Sequence, residues 1–202
     1  MVKKLLIFGI VFLLIAVFFT IIYLNFFHSF NKKNEIENPL TAFQDQQLAT
    51  QQSTSNGTTP PNTENDESQN EEIVIDESYI SYILNELGAF KLSNPPLSSD
   101  TPKIETQVGE LIFNSEIVNG NIITEKGYVE NEDIRIITTR EEVINALQST
   151  NLKIYIQGSV ASGKTTLVLI SSYKTLFYKG YLNLYKDITG QSFTGAIIRG
   201  IK

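Results

Sequence analysis

The sequence predicts an α+β domain, a small antiparallel-rich sheet covered by helices, carried behind an N-terminal transmembrane helix and a disordered linker. Three observations predict this. The first 30 residues are almost uniformly apolar, the next stretch is acidic and polar, and the remainder switches between period-2 and period-3.6 apolar patterns. The chain therefore divides into an anchor over residues 1–30, a linker over 31–72 and a folded domain over 73–202.

Leu5 to Phe27 carries no charged side chain. As a helix these 23 residues reach about 35 Å, enough to cross a hydrocarbon core of roughly 30 Å with slight tilt. A cleaved signal peptide has a shorter apolar region and ends at small residues. Phe26, Phe27, His28, Ser29 and Phe30 stand here instead, which favours an uncleaved, single-pass anchor. Lys3 and Lys4 before the run balance Lys32 and Lys33 after it. The N-terminal amine and the stalk-like linker tip the orientation toward a C-terminal domain outside the cytoplasm, at the cell membrane.

Residues 34–90 hold eleven acidic side chains and no Lys or Arg. Between Asp45 and Glu72 the only apolar residues are Leu48 and Ala49. Such a tract cannot bury enough surface to offset its ordering entropy, so it reads as a self-repelling tether. Asn56-Gly57-Thr58 fits the N-glycosylation pattern, which an Asn- and Thr-rich tract also produces by chance.

Order resumes near Ile73. Asp76 to Leu87 reads as a helix with Ile80, Ile83, Leu84 and Leu87 on one face and Gly88 ending it. Asn94 to Pro102 is a proline-rich loop. Glu110–Val118 and Asn121–Glu125 are extended runs, and Asn119-Gly120 between them is a two-residue hairpin signal. Asp133–Thr138 predicts a third strand. Thr139-Arg140-Glu141-Glu142 is a capping box opening a helix through Gln148. Leu152–Val160 fits a strand or a helix equally well. Thr165–Ile170 is β-branched and apolar and predicts a buried strand. Ser172 begins an amphipathic helix that runs through Gly180 and ends at Gly190. A glycine inside a helix costs roughly 1 kcal/mol against alanine, so something approaches Gly180 closely.

Composition excludes several chemistries. There is no cysteine, and His28 is the only histidine. Disulfides, thiolate metal sites, iron–sulfur clusters, a cysteine nucleophile and a histidine triad cannot be built within one chain. No catalytic constellation, metal site or cofactor is predicted, and the domain is read as non-catalytic. Gly158-Ser159-Val160-Ala161-Ser162-Gly163-Lys164-Thr165 does satisfy the phosphate-loop pattern. Gly158 and Gly163 would free the backbone for phosphate, Lys164 would neutralise it and Thr165 would hold magnesium. That chemistry needs a strand before the loop and a helix directly after it. Here a β-branched run follows, and only 37 residues remain after Thr165. The match is read as accidental, and nucleotide binding is kept as an alternative.

The order of elements carries a resemblance. A hairpin leads to Glu132-Asp133-Ile134-Arg135-Ile136, then a capped helix over Arg140–Gln148, a segment ending at Ser162-Gly163-Lys164, the strand Thr166-Leu167-Val168-Leu169, and a helix through Lys179-Gly180-Tyr181-Leu182. Over about residues 108–190 this resembles the sterol carrier protein domain family. The resemblance implies a fatty acyl chain, sterol or other lipid held between the sheet and a closing helix. The apolar wall would then be Leu167 and Leu169 on the strand with Phe177, Gly180, Tyr181 and Leu184 on the closing helix. A filled core is the alternative use of the same residues.

The chain carries a net charge of -6, but Lys153, Lys164, Lys174, Lys179, Lys186, Arg199 and Lys202 face only Asp187 in the last fifty residues. Anionic lipid headgroups fit this end, and solvated lysines on helix faces explain it as well. Nucleic acid is not expected of an acidic chain without a recognition motif. The expected partner is the bilayer, with a lipid or other apolar ligand. A structural or protein-interaction module at the membrane surface is the second reading.

Overall fold

In a computed structural model the described residues are 13, 15–18, 20, 33, 35–41 and 73–193. Within 73–193 the elements are α1 (Glu77–Glu86), a 3-10 turn (Ala89–Lys91), β1 (Lys103–Val108), β2 (Leu111–Val118), β3 (Asn121–Lys126), β4 (Ile134–Thr138), α2 (Arg140–Gln148), α3 (Leu152–Ala161), β5 (Thr166–Leu169), α4 (Tyr173–Lys179) and α5 (Tyr181–Thr189). The sheet order is β3-β2-β1-β4-β5. β1 and β4 run parallel and every other pair is antiparallel. The α+β architecture matches the expectation, with one parallel pair at its centre.

The caps follow from local chemistry. Asp76 accepts from Ser78 N–H at the start of α1, and Gly88 takes a left-handed φ of 87° just past its end. Thr139 accepts from Glu142 N–H to open α2. Asn119 and Gly120 both have positive φ, 53° and 81°, the requirement of a tight hairpin turn.

The helices lie on one face of the sheet. Ile104, Phe113, Ile117, Ile134 and Ile136 point into this layer and meet Ile80, Leu84, Val143, Ile156, Leu184 and Ile188. Each such side chain contributes roughly 1.5–3 kcal/mol by leaving water. The opposite face is polar at its centre: Glu105 and Arg135 are register partners on β1 and β4, joined by an ion pair at 2.6 Å.

Three expectations are corrected and one open alternative is resolved. β1, the central strand, lies where the sequence reading had no element. Its apolar side carries only Ile104 and Val108 around Thr106, too weak an alternation to stand out. The ambiguous segment 152–160 is helical, opened by Asn151, whose side chain accepts from Ile154 N–H. β5 is a half-exposed edge strand rather than a buried one. The long closing helix is two helices, broken at Gly180 with φ 87°.

The break has a physical cause. Asp133 is 1% exposed and accepts from Lys179 Nζ at 2.9 and 3.0 Å, Tyr181 Oη at 3.0 Å, Ser171 Oγ at 2.8 Å and Lys103 N–H at 2.9 Å. Residues two apart on a continuous helix point to opposite sides. The left-handed Gly180 turns the chain so that Lys179 and Tyr181 converge on one carboxylate. A Cβ at position 180 would lie 3.7 Å from the carbonyl oxygen of Lys91, so the close neighbour is the 3-10 turn.

Of the apolar run Leu5–Phe27, only residues 13, 15–18 and 20 are described, and they are helical. The rest of the expected anchor lies outside the described residues. Among the described residues no helix is long and apolar enough to cross a membrane. Part of the segment assigned to the linker lies on the domain. Leu40 is 3% exposed within the core, Asn38 donates to the carbonyl of Leu147 at 3.0 Å, and Lys33 pairs with Glu86 at 2.7 Å. The remainder of the expected linker, residues 31, 32, 34 and 42–72, is outside the described residues.

Candidate functional site: an apolar void with a polar rim

A void of about 30 Å³ sits where α1, α2, α3 and α5 converge on β1 and β4. Its apolar walls are Ile80, Ile83 and Leu84 of α1, Leu87 just past its end, Ile136 of β4, Val143 of α2, Ile156 of α3 and Ile188 of α5. The α1 residues reach it because their 3- and 4-residue spacing lines one helix face. Thr106, Thr138, Glu142 and Thr165 form its polar rim.

Three of these polar residues are engaged. Thr165 Oγ1 lies 2.9 Å from Thr138 Oγ1 and 2.8 Å from Ser159 Oγ. Glu142, 4% exposed, accepts from Tyr155 Oη at 3.0 Å and Lys164 Nζ at 3.0 Å. Burial pushes the Glu142 carboxyl up, but the hydrogen bonds from Ser159, Lys164 and Tyr155 outweigh it and hold the group below its ordinary range. The hydrogen bond to Glu142 raises Lys164. Burial, then the bond to Glu142, raises Tyr155. Glu142 is thus a fixed anion with its lone pairs committed, which suits structure better than proton transfer. The Thr106 hydroxyl differs: it is buried and has no hydrogen-bond partner among the described residues.

The predicted wall residues scatter. Leu167 and Leu169 pair with Ile136 and Ile134 across β4–β5 and pack, half-buried, against the core. Leu184 is 2% exposed in the core, and Tyr181 is 1% exposed with its hydroxyl on Asp133 and on the carbonyl of Lys103. Burial and Asp133 together raise the Tyr181 hydroxyl well above its ordinary range. Gly180 is the helix break. Phe177 is 54% exposed on α4, outside the interior altogether. The six do not form one wall, and none of them borders the void.

The phosphate-loop residues lie at the C-terminal end of α3. Gly158 is within the helix, Gly163 has φ 77°, and the chain then enters β5. Gly163 N–H donates to Val160, and the N–H groups of Lys164 and Thr165 donate to Ser159. A phosphate cradle needs free N–H groups at a helix N-terminus. These are bonded at a C-terminus, where the macrodipole is negative, and the Lys164 and Thr165 side chains serve Glu142 and Ser159.

Sequence reasoning missed Thr106, Thr138 and Ile188 as rim and wall, and it gave Glu142 only a capping role. Glu142 and Lys164 are 22 positions apart, so the pair becomes visible only when α2 and α3 pack together. Among the described residues no group of three or more His, Cys, Asp or Glu side chains could hold a metal ion.

No protein family matches the chain, and no curated protein does. Partial likenesses occur among solved structures. The inverting sec-alkylsulfatase Pisa1 from a Pseudomonas species is similar over 40% of this chain and 12% of its own, at 14% identity and a TM-score of 0.29. The ubiquinone synthesis protein UbiJ-SCP2 is similar over 56% of this chain and 88% of its own, at 12% identity and a TM-score of 0.32. Sterol Carrier Protein 2 Like 2 from Aedes aegypti is similar over 53% of this chain and 92% of its own, at 13% identity and a TM-score of 0.27. The chain spans only about an eighth of the length of the alkylsulfatase.

Proposed function

We propose that the domain is a non-catalytic module that binds a lipid or another apolar ligand between its sheet and its helical cover. The observation that carries this reading is the void at the junction of four helices with β1 and β4, apolar on most sides and bordered by the unpartnered Thr106 hydroxyl. An amphiphile would lay its chain along Ile83, Leu87 and Ile188 and offer a hydrogen-bonding head to Thr106. At about 30 Å³ the void has room for only a water or two, so α1 and α5 must move apart to admit a chain. In the same reading the apolar run Leu5–Phe27 holds the protein in the cell membrane with the C-terminal domain outside the cytoplasm.

The test is native mass spectrometry and solvent extraction of the purified full chain, followed by titration with a fluorescent fatty-acyl probe. A co-purified or bound apolar molecule, with uptake reduced at least about tenfold by Ile136→Phe in a protein of unchanged secondary structure, is the expected result. A chain that carries nothing and takes up no probe sinks the reading.

The size of the void favours a second reading. A nearly filled interior also suits a structural or protein-interaction module at the membrane surface. Capture of one defined protein partner by a domain with no apolar uptake would select it.

A further inference from the structure

We propose that the exposed arc of α4 is a docking surface for an anionic phospholipid bilayer, separate from the interior void. At 100° per residue Tyr173, Phe177, Lys174 and Tyr178 follow one another around a single side of α4. All four are exposed, and Leu176 and Lys179 face inward. Ile170, 46% exposed, lies just before the helix. The rings form one surface: Tyr173 to Phe177 is 6.4 Å between centroids, Phe177 to Tyr178 is 5.6 Å, and Tyr173 to the buried Phe193 is 5.5 Å. The other large exposed apolar residues of the domain, such as Leu111, Ile123 and Tyr128, lie on other elements.

Charge selects the occupant. No acidic residue occurs between Glu142 and Asp187, a span that holds five lysines. Lys153, Lys164 and Lys179 are taken by Asp187, Glu142 and Asp133. Lys174 and Lys186 have no carboxylate partner among the described residues. Lys174 stands among the rings on α4, and Lys186 follows Tyr185, whose ring meets Phe193 at 5.0 Å. Unpaired ammonium groups on a surface of amphipathic rings are the chemistry of a headgroup interface: the rings settle at the boundary and the lysines meet lipid phosphate.

The chain has no tryptophan, so Phe177→Trp installs a unique reporter in the full-length protein. The protein is mixed with vesicles of phosphatidylcholine alone or with added phosphatidylglycerol, each carrying brominated acyl chains. The expected result is quenching and a blue shift of the indole at position 177 only with phosphatidylglycerol, reversed by salt. Tyr128→Trp, at an exposed position on the β3–β4 loop, stays solvent-like and controls for attachment through other parts of the chain. Lys174→Gln and Lys186→Gln each lower the response by about fivefold. An indole at 177 that is indifferent to phosphatidylglycerol, or a response untouched by both lysine substitutions, overturns the proposal. So does an indole already shielded without vesicles and uncovered by deleting residues 194–202, since the C-terminal segment would then occupy the arc.

Discussion

The two ends of β4 manage buried polarity in opposite ways. Just before the strand, the Asp133 carboxylate is filled: an ammonium, a phenol, a hydroxyl and a backbone N–H all reach it, and nothing polar is left over. Toward its far end, beside Ile136 and Thr138, the packing leaves a void and the neighbouring Thr106 hydroxyl without a partner. A satisfied network fixes one geometry, and an orphaned donor in an apolar hollow is poised for something else. The first end holds the fold; the second is the end on which the proposed ligand site rests.

The contrast is broken most severely at Asp133. Asp133→Ala strands the buried Lys179 and frees four donors, and urea unfolding should show a loss of about 3–5 kcal/mol. Asp100 and the carbonyl of Thr101 also contact Lys179 Nζ, each at 2.9 Å, and keep the loss toward the lower figure. Gly180→Ala forces a side chain into the left-handed turn that aims Lys179 and Tyr181 at Asp133. Thermal and urea unfolding should show a loss of about 1–2 kcal/mol.

The opposite end predicts the opposite sign. Thr106→Val removes the unpartnered hydroxyl and keeps the shape, so the empty domain should gain about 1 kcal/mol. The same variant should bind a head-bearing amphiphile more weakly than the parent, by titration with a hydroxylated acyl probe. Equal stability and equal binding would show that Thr106 is indifferent to both.

The smallest effect is a pH dependence. The folded Glu142 carboxyl lies below its ordinary value of 4.5, so the unfolded chain takes up the proton first. Its contribution is present above pH 4.5 and is lost as pH falls through the lower folded value. Unfolding curves collected below pH 5 should lose stability more steeply in the parent than in Glu142→Gln. Lys164 is largely solvated, which keeps the difference small.

Legibility followed range. Asp76, Asn119-Gly120 and Thr139 act within three residues, and the elements they start or turn were readable from the sequence. β1 was not, because its core face needs only Ile104, Thr106 and Val108 when β2 and β4 flank it on both sides. The division of the last helix at Gly180 depends on Asp133, 46 positions before Lys179. The void was hidden for the same reason: its rim gathers Thr106, Thr138, Glu142 and Thr165 from four separate elements or their ends. The phosphate-loop pattern, read as accidental, shows the converse: a short local match acquires meaning only from the elements on either side.

The clasp of Asn38 and Leu40 onto α2 and the core shortens the mooring. Composition alone suggested some forty residues of free rope, but Asn38 is already held, eleven positions after Phe27. That interval spans at most about 40 Å. Anything that held the apolar run would therefore keep the domain within about 40 Å of Phe27.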